Sequence, residues 1–129
     1  MEFISADEFL KQPHKVKKVL QEWFIEKFET SNEFDLFNYN GEDLCYKNIL
    51  DRNCNFDIED CIPLLTEGQL REFIEYKTKL KTENPWHGVY DIYLVDCSTG
   101  QTVVKDFYSL GVNLLQAYWK VAIQIAKES

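Results

Sequence analysis

The apolar positions of this chain change their repeat several times, and the strongest pattern is the last one. From Ser109 to Ser129, Leu110, Leu114, Ala117, Tyr118, Val121, Ala122 and Ile125 recur at helical spacing, and Leu115, Trp119, Ile123 and Ala126 widen that face. Asn113, Gln116, Lys120, Gln124 and Lys127 form one narrow polar stripe. The pattern predicts a long helix capped by Ser109 and covered on several sides, with the other elements packed around it.

At the other end, Ser5 followed by Glu8 makes a capping box, and Ile4 and Phe9 are placed as its hydrophobic staple. Pro13 limits this first helix to roughly two turns and can start a second. The second helix carries Val16, Val19, Leu20, Trp23, Phe24 and Phe28 on one face and runs to about Thr30. The repeat then shortens: Phe34 and Leu36 lead to Asn40-Gly41, a pair that favours a two-residue type I′ hairpin, and Leu44 and Tyr46 return from it. Cys54, Phe56 and Ile58 alternate as a third short strand.

Thr66 and Gln69 repeat the capping box, and the helix they open presents Leu70, Phe73, Ile74 and Lys77 before fading into the polar run Lys79 to Asn84. Trp86 to Asp96 reads as the best strand. Ser98-Thr99-Gly100 is its hairpin turn, and Gln101 to Tyr108 returns through Val103, Val104 and Phe107. Helices and hairpins in this order predict an α+β fold in one domain, residues 1–129. Its antiparallel sheet would have about four to five strands, packed with the long buried C-terminal helix and the shorter N-terminal and central helices.

Charge adds a direction. The net charge of −8 argues against direct contact with nucleic acid or with an anionic membrane, both of which need Lys and Arg, and favours a basic partner. The chain shows neither a secretory leader nor an apolar window of membrane-spanning length, and its four cysteines fall at irregular spacings, as reduced thiols of a cytosolic protein do. Between Glu22 and Glu67, twelve carboxylates face three basic residues, a balance of −9, while the remainder carries +1. Glu33, Asp35, Glu42, Asp43, Asp57, Glu59 and Asp60 are therefore the candidate acidic surface for a partner with a basic groove. The alternative is an ordinary solvated face on hairpins.

Catalytic and metal chemistry are poorly served. Asp51, Cys54, Asp57, Glu59, Asp60 and Cys61 match neither a zinc pair nor an EF-hand loop, and His14 and His87 stand alone. No nucleophile elbow, phosphate-cradling loop or metalloprotease motif occurs, so neither a cofactor nor enzymatic activity is expected. Tyr76, Trp86, Tyr90, Tyr93 and Tyr108 either finish the core or line a groove, and Trp86, Tyr90 and Tyr93 are the candidate ligand site in the second case.

Three stretches together, SADEFLKQPHKVKKVLQEWF, IPLLTEGQLREFIEYKT and LLQAYWKVAIQIAKE, resemble a group of small proteins encoded by phages and prophages of Firmicutes. The chain departs from that group at Phe24, where members often carry a tryptophan. The shared motifs are helix caps and core positions, so the resemblance implies a fold and brings no catalytic residues. It also implies a setting, the host cytoplasm, and a role. The role is a non-enzymatic accessory protein that binds and inhibits a host or defence factor, as an anti-CRISPR or other anti-defence or host-takeover protein does. A sponge for a nucleotide signal and a module for phage replication or assembly are the alternatives.

Overall fold

Local signals written within a few residues of one another produce most of the elements. A computed structural model describes residues 2–30, 35–46, 60–85, 90–98 and 100–129. The chain divides into two compact units, Ser5–Leu65 and Met1–Ile4 with Thr66–Ser129.

In the first unit, the Ser5 side chain accepts a hydrogen bond from the Glu8 amide at 3.2 Å and opens α1, Ala6–Leu10. Pro13 closes the gap to α2, His14–Thr30, and its carbonyl accepts the first helical bond from the Lys17 amide. Val16, Leu20, Trp23 and Phe24 are buried at the predicted helical spacing. Strands β1, Asp35–Tyr39, and β2, Glu42–Tyr46, form the expected hairpin. Asn40 and Gly41 both have positive φ, 52° and 83°, as a type I′ turn requires. The short β3, Ile62–Pro63, joins the other edge of β1, with Phe37 opposite Pro63. Pro63 has no N–H to donate to a further strand, so an edge is where it fits. The strand predicted at Cys54, Phe56 and Ile58 lies outside the described residues.

In the second unit the Thr66–Gln69 capping box is complete, with reciprocal bonds of 3.3 and 3.0 Å, and opens α3, Glu67–Thr78. Leu70, Phe73 and Ile74 are fully buried on one stripe. The polar run after it is not a loop throughout: Lys81–Glu83 forms β4, which pairs antiparallel with β5, Ile92–Asp96. Thr82 is the buried residue of β4. Its amide and hydroxyl both donate to the Glu75 carboxylate, at 2.8 and 2.9 Å, tying the strand to α3. Strand β6, Thr102–Phe107, pairs with the far side of β5.

The fold class is α+β, but the single sheet of four to five strands is replaced by two three-stranded antiparallel sheets, β2-β1-β3 and β4-β5-β6. Each hairpin gains its third strand from a polar or very short segment near it in sequence, which satisfies its edge locally.

The C-terminal helix, α4, spans Leu114–Glu128 and is buried on most of its circumference, with Gln116, Lys120, Gln124 and Lys127 on the outward stripe. Helix α3 and strand β5 both pack against it. Its start differs from expectation. Ser109 is not its cap: the Ser109 amide donates to Asp91, and Leu110 and Gly111 exchange backbone bonds with Tyr90. The chain thus stays bonded to Tyr90, through a left-handed φ of 55° at Ser109, until Gly111, whose φ of 101° turns it away. Asn113 then caps the helix, its side chain accepting from the Gln116 amide at 3.0 Å.

Candidate functional site

Strand alternation on β5 sends Ile92 and Leu94 into the core and Tyr93 to the opposite face, where it is half-buried. Tyr93 is the cross-strand partner of Asp106, so their side chains share that open face. Tyr108 follows two residues after Asp106 and closes on Tyr93 edge to face, with ring centroids 6.3 Å apart and planes at 76°. Its hydroxyl donates to the Asp106 carboxylate. Asp91, one residue before β5, accepts from the Ser109 amide at 2.9 Å and completes the group.

Electrostatics in this cluster run one way. The hydrogen bond to Asp106 comes first, followed by some desolvation and the charges of Asp106, Tyr93 and Asp91; together they push the Tyr108 phenol up to about 12. Tyr108 nevertheless remains 60% exposed, and Asp106 is exposed beside it. Two ring surfaces bordered by two carboxylates suit a cation, above all the guanidinium of Arg or the ammonium of Lys.

The raised phenol has a testable sign. A tyrosine pKa above its ordinary value favours the protonated form in the folded state. That contribution to stability is therefore complete below about pH 10 and is lost as pH rises toward 12. Absorbance titration at the tyrosinate band should show one phenol ionising late, and Asp106→Asn should bring it down toward the usual value. A late phenol that ignores the substitution would contradict the assigned cause.

Further along, β6 leaves Val103 and Val104 exposed. Lys105 is paired with Leu94 and Val103 with Val95, so Val104 is the extra residue of a bulge. Val103 stands opposite Val95, two residues beyond Tyr93 on β5, but Val95 is only 1% exposed, so the alternation of open and covered positions does not continue through the bulge.

The acidic middle falls only in part within the described residues. Glu33, Asp57 and Glu59 lie outside the described residues, and Asp35 opens β1. Glu42 and Asp43 are exposed at the head of the first hairpin. As consecutive strand residues, however, they point to opposite faces, and Asp43 accepts from the Asn38 amide group at 2.8 Å. Asp60 is exposed, in a recess that it shares with His14, Lys17 and Lys18.

Of the aromatic candidates, Trp86 lies outside the described residues. Tyr90 is half-buried, and both its amide and carbonyl are engaged by the Leu110–Gly111 segment. Tyr93 is the candidate that meets a cluster, and the residues completing it, Asp91 and Asp106, were missed by sequence reasoning. Both belong to the near-neutral part of the chain; Asp91 lies two residues before Tyr93, and the β5–β6 register brings Asp106 opposite it.

Cys61 is a buried cysteine, and Cys97 is an exposed free thiol. Among the described residues, no group of three or more His, Cys, Asp or Glu side chains is placed to hold a metal ion. Nor is any helix among them long and apolar enough to cross a membrane. Comparisons with protein-family models, curated proteins and solved structures give no match to this chain.

Proposed function

We propose that this chain is a non-enzymatic binding protein whose partner is a basic protein, gripped through exposed carboxylates and tyrosines. The surface cluster of half-buried Tyr93 and Asp91 with exposed Tyr108 and Asp106 carries the reading. Its rings and carboxylates complement Arg and Lys side chains, and the overall charge of −8 steers a basic surface toward the chain. The resemblance to phage accessory proteins supports taking that partner as a host or defence factor with a nucleic-acid-binding groove, inhibited by occupation of the groove. Carboxylates beside the rings repel the phosphates of a nucleotide, which sets the nucleotide-sponge reading behind this one.

The test pairs capture with substitution. Wild-type protein and the Asp91→Asn/Asp106→Asn double variant are used as baits in bacterial host extract, captured proteins are identified by mass spectrometry, and the purified pair is measured directly. A basic protein held by wild type should bind the double variant roughly tenfold or more weakly, with a steep dependence on salt. Equal affinity of the two baits for every captured protein would remove the proposal.

A further inference from the structure

Strand β6 is an edge of its sheet among the described residues, in the order β4-β5-β6, and all six of its residues are exposed or half-buried. Such an edge presents unpaired backbone donors and acceptors, and folded proteins normally guard it with charge, proline, bulges or cover. Here the guard is partial. The bulge at Val104 interrupts the ladder, but Lys105 is drawn back onto Glu128 at 3.0 Å, and Val103 and Val104 stand 49% and 58% exposed. Four of the six large apolar side chains that are exposed among the described residues (Val103, Val104, Tyr108 and Val112) fall in this one stretch. The open face beside it carries Asp106 and Asp91.

Resting on the proposed partner class, we infer that β6 receives an extended basic segment of that partner as a fourth strand of the sheet. Main-chain bonds along the free edge would supply affinity, as in other strand-addition complexes. Alternation supplies the selectivity. Every second side chain of the added strand lies over the face of Tyr93, Asp106 and Tyr108 and is Lys or Arg, and apolar residues near the bulge cover Val103 and Val104. At about 3.4 Å per residue the edge spans roughly 20 Å, enough for two or three such cations. A second copy of this chain is the wrong occupant on charge: two chains of −8 repel, and their Asp91 and Asp106 groups would meet like with like.

The probe is a fluorescent short peptide of alternating lysine and valine, with a fully N-methylated copy that keeps the charges and loses the main-chain donors. Wild type should bind the first about tenfold or more tightly than the copy. Binding should slow amide exchange at residues 102–107, and Val103→Ser/Val104→Ser should weaken it without unfolding these exposed positions. If the peptide binds and Asp91→Asn/Asp106→Asn weakens it, yet exchange at 102–107 is unchanged or the N-methylated copy binds equally, strand addition is overturned and the cation-binding cluster survives. Failure to bind, or indifference to the double substitution, overturns both. Self-association in sedimentation that protects 102–107 without peptide overturns the inference in favour of a second copy.

Discussion

Truncating Phe73 to alanine should cost about 3–5 kcal/mol, a large part of the roughly 5–15 kcal/mol that holds a typical domain folded. Phe73 is fully buried between Leu70 and Ile74 on the stripe of α3, the helix that packs on α4. The cavity would be difficult to close by relaxation. Helix α3 is fixed at its start by the two-way Thr66–Gln69 box, α4 by Asn113, and α3 is tied near its end to β4 through Glu75 and Thr82. Urea denaturation is the measurement: the midpoint should fall steeply while the slope against urea stays constant. A loss below about 1 kcal/mol would mean that the two helices close over the gap, against the rigidity these attachments imply.

The second large effect is expected at Glu75, an ordinary helix-surface residue by its sequence. Its carboxylate accepts from both the amide and the hydroxyl of Thr82, which is only 3% exposed. Glu75→Ala leaves these donors without that acceptor in a buried place, at a cost of about 1–3 kcal/mol. Glu75→Gln keeps an acceptor oxygen and should recover part of the loss. Thr82 also meets Tyr118, whose phenol is pushed up by burial, while Arg71 beside its ring and the bond to Thr82 pull it the other way. Amide exchange at Thr82 should accelerate in the alanine variant before global unfolding. Unchanged exchange there would show that the carboxylate is dispensable.

What the residues disclose in advance follows how local each cause is. Ser5, Thr66 with Gln69, and the Asn40-Gly41 pair act over four residues or fewer, and each appears where its spacing places it. Asn113 is equally local, but its place in the polar stripe of α4 disguised a cap as a solvated position, and Ser109 took the role instead. Strand β4 was hidden because its inward residue is Thr82, satisfied by Glu75, so that Lys81, Thr82 and Glu83 show no apolar alternation. The division into two sheets was illegible for a related reason, since the third strand of each is too short or too polar to announce itself.

The candidate site was legible only in its tyrosines. A linear count of charge favoured the middle of the chain, of which residues 35–46 and 60–67 are among the described ones. Glu42 and Asp43 diverge by strand alternation, and Asp60 shares a recess with lysines of α2. Asp91 and Asp106 each lie two positions from one tyrosine of the pair, Tyr93 and Tyr108, and antiparallel pairing of β5 with β6 joins the two halves, a cause that no window of adjacent residues contains.

The extra residue at Val104 makes β6 a strand with two phases. Before it, Val103 takes the place opposite Val95; after it, Lys105 stands opposite Leu94 and Asp106 opposite Tyr93, so the pairing is offset by one position. Read with a fixed period of two, Thr102 to Phe107 therefore spells no amphipathic strand, although each half is regular within its own frame. Removing Val104 would leave Val103 opposite Val95 and Lys105 opposite Leu94 in one regular ladder, so the pairing of the remaining residues would be kept and only the kink and the exposed Val104 side chain would be lost. In this strand, a single inserted residue offsets two alternation frames by one position.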